Sequence, residues 1–247
     1  MNPVREADVR SVLSAQAKHT SLTNYAFDIE SYELFARHTA LFLIEAGDDC
    51  YLLKKREMGY NLTFFLRSFS PMPMPKSTFI EVFAREENNY EHIREFFSAT
   101  FHARRVRLAR TAVKDVILNE KIRPMAQPDF VQVHSLLMDC FVQTPEYIPK
   151  IWELEAMKDA VCIHDEGKVI AFMQTNNRPL SAELRLLAVH GDFRGRGYGK
   201  MLVEGFLSKH QKKVSIWVDP NNTAAVRLYE SYGFAADGLG SWVIIIR

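Results

Sequence analysis

Cysteine and long apolar runs are scarce in this chain, and both absences limit what it can be. It has only three cysteines, Cys50, Cys140 and Cys162, each inside an apolar run and none in the C-x-x-C spacing of zinc or redox sites. We therefore expect free thiols in the protein core. No apolar run approaches the roughly 18 residues that a membrane span needs, and Met1 to Val12 lacks the apolar core of a secretory signal. These absences predict a cytoplasmic protein with no membrane partner.

An excess of charge of one sign is also missing. The chain carries 31 Lys and Arg against 30 Asp and Glu, for a formal net charge of +1. A general nucleic-acid binder needs a strong basic excess, so we expect no nucleic-acid partner. With 247 residues, 47% of them hydrophobic and 25% charged, the chain is long enough for one large or two modest globular domains.

Glycine accounts for only 11 residues, yet three glycines alternate within one short segment, between a strand-like run and a helix-like run. The segment reads Arg194-Gly195-Arg196-Gly197-Tyr198-Gly199-Lys200. Glycine permits positive φ and close backbone approach, and a helix N-terminus attracts anions, so the segment predicts a pyrophosphate-binding loop. Met201 after Lys200 excludes a Walker loop, and the alternating glycines exclude a dinucleotide fingerprint. The alternative is a glycine-rich surface turn without a ligand.

Two parts of the chain share one predicted order of strand, helix and strand. The first comprises residues 78–84, 89–102 and 105–111, and the second residues 183–189, 199–210 and 214–218. In the first copy the strand-to-helix loop, residues 85–89, has no glycine and contains Glu86 and Glu87, so we expect no pyrophosphate there. With a boundary between Thr111 and Pro124, the predicted domains are residues 1–115 and 120–247.

The remaining patterns add strands and helices around these copies. Alternating apolar residues and turn signals predict a meander, a β-hairpin with a turn at 165–167, and a C-terminal strand. Their strands span residues 41–44, 50–53, 62–66, 160–164, 169–174 and 242–246, and two helices are predicted near residues 128–141 and 149–157. The proline-rich segment 70–75 predicts an extended connector.

Four segments in a fixed order resemble the GNAT superfamily of N-acetyltransferases. They are the strand Glu183 to Val189, the loop Phe193 to Gly199, Asn222, and Leu228 to Phe234 with its closing Gly-Phe pair. The match covers about the last half of the chain. It implies an α/β fold with a mixed, mostly antiparallel sheet flanked by helices, in two tandem GNAT-like units. The first unit is a degenerate copy without the loop, and the second is the catalytic domain.

The resemblance implies acetyl-CoA as cosubstrate and no metal. The implied contacts are Leu187, Ala188 and Val189 along the pantetheine arm, Arg194, Gly195, Arg196, Gly197, Tyr198, Gly199 and Lys200 around the pyrophosphate, and Asn222 and Tyr229 beyond it. Family members usually carry a bulge in the strand before the loop, so that it diverges from the next strand and the arm lies along it as an added strand. Asn222 fits equally well as the N-cap of the helix that follows.

The same resemblance implies the catalytic groups. The Leu187 amide would point at the thioester carbonyl, Tyr229 would be the general acid for the CoA thiolate, and Glu183 matches a strand glutamate that some members use as general base. Trp217 stands where other members carry a basic carboxylate, which leaves Glu183 or a water relay as the base. A packing role is the alternative for Tyr229.

The implied function is acetyl transfer from acetyl-CoA to a primary amine by direct attack in a ternary complex. The acceptor stays open among a small polyamine, an amino acid, an antibiotic and a protein N-terminus, and so does a homodimer. Two other functions remain: a CoA-binding regulatory module without catalysis, and transfer of a larger acyl or aminoacyl group.

Overall fold

The computed structural model describes the chain except for residues 19, 25–27, 71, 86–87, 111–119 and 210–212. The chain divides into two compact units. Unit 1 consists of Met1–Arg104 and Gly240–Arg247, and unit 2 consists of Arg105–Leu239. The predicted end of the N-terminal domain at residue 115 lies outside the described residues.

The first part of the chain contains three helices and seven strands within the described residues. The helices are α1 (Val9–Ala17), α2 (Ile29–Arg37) and α3 (Asn88–Phe96), and the strands are β1 (Asn2–Pro3), β2 (Leu22–Thr23), β3 (Leu41–Ala46), β4 (Asp49–Arg56), β5 (Gly59–Leu66), β6 (Thr78–Ala84) and β7 (Thr100–Arg110). Asp28 caps α2 by accepting a hydrogen bond from Ser31 N at 3.2 Å.

The second part contains four further helices and six strands in the described ranges. They are β8 (Ile122–Pro124), α4 (Phe130–Cys140), α5 (Ile151–Glu155), β9 (Ala160–Asp165), β10 (Lys168–Arg178), β11 (Ser181–Val189), α6 (Tyr198–Lys209), β12 (Lys213–Val218), α7 (Thr223–Ser231) and β13 (Ala235–Ile246). None of the helices in the described part of the chain combines the length and the apolar composition that a membrane span requires.

Each unit is built on a mostly antiparallel sheet. In unit 1 the strand order is β1-β3-β4-β5-β6-β13, with β2 beside β5 and with β13 contributing its residues 240–246. In unit 2 the order is β7-β12-β11-β10-β9-β8, with β7 contributing its residues 106–110. The predicted fold class, a mostly antiparallel sheet flanked by helices, is confirmed.

The sheet of unit 2 buries a different apolar cluster on each face. One cluster packs α6 and α7 against the sheet, with Leu202 and Phe206 of α6 fully buried. The other packs α4 and α5 against the opposite face, with Val133 and Leu137 of α4 fully buried. Because the buried positions of α4 and of α6 recur three or four residues apart, each of these two helices presents one apolar stripe to the sheet.

Most predicted elements of unit 2 are confirmed with small changes of bounds. The predicted strand 183–189 is β11, the helix 199–210 is α6, and the strand 214–218 is β12. The last residue of that helix prediction, His210, lies outside the described residues. The hairpin turn is also present, because Glu166 and Gly167 both take positive φ, at 47° and 81°, as a two-residue hairpin loop requires.

The predicted helix 89–102 is wrong over its second half. Helix α3 ends at Phe96, and β7 begins at Thr100. Ser98 takes a positive φ of 48°, and Ala99 N donates to Arg94 O at 2.9 Å, which closes the helix. The apolar residues after this point alternate as in a strand, so the helical pattern was extended too far.

The alignment of the two copies also differs from the prediction. Each unit has one parallel pair among its described strand pairings, β5 with β6 in unit 1 and β11 with β12 in unit 2. Matching these pairs aligns β6 with β12 and not with β11. The segment of unit 1 that corresponds to the glycine loop is therefore residues 67–77, and the predicted correspondence with residues 85–89, of which 86–87 lie outside the described residues, is wrong.

A buried carboxylate organises this segment of unit 1. Asp49, at the start of β4, is 1% exposed. Its Oδ1 accepts hydrogen bonds from Arg67 N at 2.6 Å and Ser68 N at 2.9 Å, and its Oδ2 accepts one from Ser70 N at 2.5 Å. Burial by itself raises the pKa of Asp49, but these backbone hydrogen bonds outweigh it, so the pKa lies below its usual value. The amides after β5 are thus bound to an anion that belongs to the chain.

The three cysteines are free, as expected from their spacing. Cys50 and Cys162 are buried, and burial raises the pKa of each thiol to about 12. Both thiols therefore stay protonated near neutral pH and are poor nucleophiles.

We expect Asp49→Ala to lower the free energy of unfolding by about 1–3 kcal/mol, because buried backbone amides lose their acceptor. Chemical denaturation at pH 7 measures this difference. Asp48→Ala is the matched control, because Asp48 is exposed in the same turn and its loss should change the stability little.

The contribution of Asp49 should also depend on pH in one direction. Since the pKa of Asp49 is lower in the folded state, its carboxylate stabilises the fold above its unfolded-state pKa of about 3.9. That stability is lost as the pH falls through the folded-state pKa. The gap in unfolding free energy between wild type and Asp49→Ala should therefore narrow below about pH 4, and a gap that stays constant there would contradict the role of the carboxylate.

Candidate active site

The candidate site begins where β11 and β12 stop pairing. Their parallel register runs from Ser181 opposite Lys213 to Leu184 opposite Ile216, and it goes no further in the described pairing. On the other side of β11, the antiparallel register with β10 shifts at the next residue, so that Arg185 has no partner. Strand β11 therefore carries a β-bulge at Arg185, and beyond it a gap opens toward β12.

The bulge sets the direction of the backbone groups that face this gap. His190 N donates to Ile170 O at 2.9 Å, and hydrogen-bonded pairs alternate along an antiparallel ladder. Leu186 and Ala188 therefore pair with β10, whereas the amides of Leu187 and Val189 point away from it. Val189 O agrees with this direction, because it accepts a hydrogen bond from Arg194 Nε at 3.1 Å.

The side chains of β11 also change their alternation between the two faces of the sheet at the bulge. Leu184, Leu187 and Val189 contact the α6 cluster, while Leu186 and Ala188 contact the α4 cluster. A regular strand would put Leu184 and Leu186 on one face. The bulge thus turns the Leu187 amide away from β10, whereas the Ala188 backbone pairs with β10 in the sheet.

The glycine loop leads directly from β11 into α6. Gly195 and Gly197 have φ of +73° and +87°, and a Cβ at either position would meet no atom within 4 Å. Glycine is therefore needed for backbone conformation and not for space. The first turn of α6 is closed by Met201 N donating to Gly197 O at 2.9 Å, so the amides of residues 198–200 have no partner within the helix.

The cations of the loop have different surroundings. Arg194 spans back to β11, where its Nε binds Val189 O and its Nη2 lies 3.5 Å from Cys140 Sγ. Arg196 lies over the Phe193 ring, 5.1 Å from its centroid, and Lys200 lies 3.9 Å from the Glu204 carboxylate. Arg194 therefore braces the loop, and the exposed Arg196 and Lys200 supply its positive charge.

Asn222 and Tyr229 are placed by α7. Asn222 Oδ1 accepts a hydrogen bond from Ala225 N at 3.1 Å and caps the helix, which is the structural role that the sequence left open. Tyr229 is 5% exposed, with its ring 6.1 Å from that of Phe234. Burial raises the pKa of Tyr229 to about 12. Its hydroxyl therefore stays protonated at neutral pH.

Glu183 lies on the face of β11 opposite the α6 cluster, just before the bulge. Trp217 Nε1 donates a hydrogen bond to Glu183 Oε2 at 3.3 Å, and Arg185 Nη1 lies 3.3 Å from Glu183 Oε1. Both oxygens therefore face a donor. In the sequence, Trp217 stands out only as a departure from the family pattern, and Arg185 was missed as a neighbour of Glu183, although residues two apart along a strand share a face.

An aromatic and cationic cluster continues from Trp217. The Arg105 guanidinium lies 3.8 Å from the centroid of the Tyr147 ring and 5.6 Å from that of Trp217. Arg107 lies 5.9 Å from the Trp217 ring and binds Asp237 Oδ2 through Nη2 at 2.6 Å and Nε at 2.9 Å. No local signal in the sequence links these residues, because they come from separate elements.

Asp237 and Arg107 form a half-buried ion pair. Burial acts to raise the pKa of Asp237, but the hydrogen bonds from Arg107 and from Leu239 N outweigh it, so the pKa lies below its usual value. Asp237 is therefore ionised and already holds a cation.

A cavity of about 430 Å³ opens beside the first residue of α6. It is lined by Lys121, Arg123, His164, Asp165, Glu166, Gly167 and Tyr198. Of these lining residues, His164 also contacts Asp129, with its Nε2 2.9 Å from Asp129 Oδ1. The cavity lies on the hairpin side of the loop and is distinct from the gap between β11 and β12. In the described residues, no three His, Cys, Asp or Glu side chains come together as a metal site would need.

Sequence comparison finds a family match over the part of the chain that holds this site. The model of the acetyltransferase (GNAT) family matches residues 130–234. Over 73 residues the chain is 36% identical to the [ribosomal protein bS18]-alanine N-acetyltransferase of Salmonella typhimurium, a match that covers 28% of this chain and 49% of that protein. The chain thus spans about half the length of this curated relative.

Solved structures match over nearly the whole chain. A tandem GNAT protein from the clavulanic acid biosynthesis pathway aligns with a TM-score of 0.62 and 10% identity, covering 98% of this chain and 96% of that one. A GNAT-family acetyltransferase from Colwellia psychrerythraea aligns with a TM-score of 0.55 and 14% identity, covering 98% and 97%. At these identities the likeness is one of fold. Residues 130–234 therefore match a GNAT-family domain, and the N-terminal half of the chain is also GNAT-like in fold.

Proposed function

We propose that this protein transfers an acetyl group from acetyl-CoA to a primary amine, by direct attack of the amine in a ternary complex. The observation that carries the proposal is the gap beyond the β11 bulge. There the backbone groups of Leu187 and Val189 turn away from β10, a few residues before a glycine loop at the start of a helix. The two features together offer an extended row of backbone groups that ends in an anion site.

The gap and the loop suit the two chemically different parts of CoA. A chain that carries amide groups can hydrogen-bond to free strand backbone as an added strand does, which is the role we assign to Leu187 and Val189. A pyrophosphate suits the unpaired amides at the start of α6 and the left-handed backbone of Gly195 and Gly197. The exposed side chains of the loop add positive charge.

Three groups of the chain would then serve the reaction. Acetyl-CoA, when bound, supplies the thioester carbon, at which a C–N bond forms while the C–S bond breaks. The Leu187 amide would donate to the thioester oxygen, and one such donor contributes on the order of 3 kcal/mol at comparable sites. Glu183 would accept the proton of the amine, directly or through water, and Tyr229 would donate a proton to the departing sulfur.

The acceptor is proposed only as a primary amine, on a small molecule or at a peptide N-terminus. The partial relative from Salmonella typhimurium is named for acetylation of an alanine of a ribosomal protein, and this supports an amine as the nucleophile. The half-buried Glu183 carboxylate supports the same choice, because an ammonium group must lose a proton before it attacks.

Gly197→Asp should weaken CoA binding by more than about tenfold, because it strains a residue at φ +87° and puts negative charge where the pyrophosphate would lie. Calorimetric titration with CoA measures the change. Gly47→Asp is the matched control, since Gly47 also has a positive φ, of +61°, but lies in unit 1. Retention of wild-type affinity by Gly197→Asp would refute the loop assignment.

Tyr229→Phe should lower kcat by about a hundredfold and leave the affinity for CoA unchanged, because a general acid contributes to turnover and not to binding. Release of free thiol with an amine panel measures kcat. Tyr232→Phe is the control, because Tyr232 lies at the C-terminal end of the same helix, α7, but its hydroxyl donates a hydrogen bond to Glu204 Oε1 at 2.6 Å. Equal turnover by Tyr229→Phe and wild type would leave Tyr229 as a packing residue.

A further inference from the structure

Arg185 has no role in the function proposed so far, yet it lies beside the reacting groups. It is the bulged residue of β11, and its side chain is 51% exposed, against 20% for Glu183. Its Nη1 lies 3.3 Å from Glu183 Oε1. An exposed guanidinium and a half-buried carboxylate therefore stand side by side where β11 leaves β12.

The charges of Glu183 and Arg185 complement those of an α-amino acid, because a carboxylate faces its ammonium group and a guanidinium faces its carboxylate. An α-amino acid carries an ammonium and a carboxylate two bonds apart through one carbon, and the ion pair presents a carboxylate and a guanidinium at similar spacing. Guanidinium binds carboxylate through two parallel hydrogen bonds. When such an acceptor binds, its ammonium group would pair with Glu183 and its carboxylate with Arg185. The ion pair between the two side chains would thus be replaced by two new ion pairs, and no charge would be left unpaired.

The surroundings of Glu183 also favour an acceptor with a negative group. Within the described contacts, the guanidinium groups of Arg105 and Arg107 lie near the Trp217 ring, and that of Arg185 lies beside Glu183. Arg107 is matched by Asp237, and Glu146, next to Tyr147, is 3% exposed and does not form part of the surface. The Arg185 guanidinium is 51% exposed beside Glu183, so it attracts a carboxylate to this place and opposes the second ammonium group of a polyamine.

We propose that the acceptor bears a carboxylate on the carbon that carries its amine, as a free amino acid does, and that Arg185 binds this carboxylate. The inference rests on the acetyl transfer proposed above and names its acceptor class. The carboxylate on Arg185 would hold the amine against Glu183, so Arg185 is a residue that determines specificity and not one that moves a proton.

The test compares free amino acids with their α-carboxamides, which keep the amine and lose the charge. Thiol release from acetyl-CoA gives kcat/KM for each matched pair. Wild type should prefer the free acid by about tenfold to a hundredfold, the range for hydrogen bonds to a charged group. Arg185→Gln should lose this preference, because kcat/KM falls more for the free acid than for the carboxamide. Arg185→Lys should keep part of the preference, since it retains the charge without the bidentate geometry.

Arg5→Gln is the matched control, because Arg5 is an exposed arginine of unit 1 that pairs with the Asp8 carboxylate at 2.6 Å, and it should keep the wild-type preference. The inference fails if wild type uses carboxamides as well as free acids, if Arg185→Gln keeps the preference, or if only polyamines or peptide N-termini are acetylated. Those outcomes leave acetyl transfer standing. Acetylation of no amine at all, with CoA bound, would instead overturn the proposed function together with this inference.

Discussion

The hydrogen bonding between β11 and β12 ends at the pair of Leu184 and Ile216, and the candidate site depends on this ending. A central strand normally satisfies its backbone on both sides. Beyond the bulge, β11 pairs with β10 alone among the described strands, so the amides of Leu187 and Val189 face away from a partner strand, while Val189 O is bound by Arg194 Nε. The extra residue of the bulge shifts the alternation of the strand by one position, and this shift determines that the amides of Leu187 and Val189 face away from β10.

The first unit meets the same constraint in another way. The segment after β5 follows the first strand of a parallel pair, as the glycine loop does after β11. Its amides at Arg67, Ser68 and Ser70 bind the carboxylate of Asp49, so an internal anion satisfies them. In unit 2 the amides at the start of α6 have no partner within the helix. Under the proposed function CoA therefore binds at the loop of unit 2, because the described amides of the corresponding segment in unit 1 already bind Asp49.

The sequence was sufficient for features that depend on local pattern. Strand β6 was predicted with its observed bounds, and the glycine loop was placed between β11 and α6, because alternation, glycine and helical spacing are all local signals. The alignment of the two halves was wrong because parallel pairing is a property of distant segments. The stacking of Arg105 on Tyr147 and Trp217 was missed for the same reason. A bulge in the strand before the loop was expected only through the family resemblance, which did not give its position at Arg185.

Trp217, which stands where some family members carry a carboxylate, affects the charge around Glu183. A carboxylate at this position would stand next to Glu183, and two like charges at short range oppose the ionisation of each. The indole instead donates a hydrogen bond to Glu183 and lies within 6 Å of the guanidinium groups of Arg105 and Arg107, where the ring face attracts cations. One aromatic residue therefore removes a negative charge, orients the remaining carboxylate and keeps two cations nearby. Glu183 thus lies between the Trp217 indole and the Arg185 guanidinium, and under the proposed function this arrangement favours an acceptor that brings a carboxylate together with its amine.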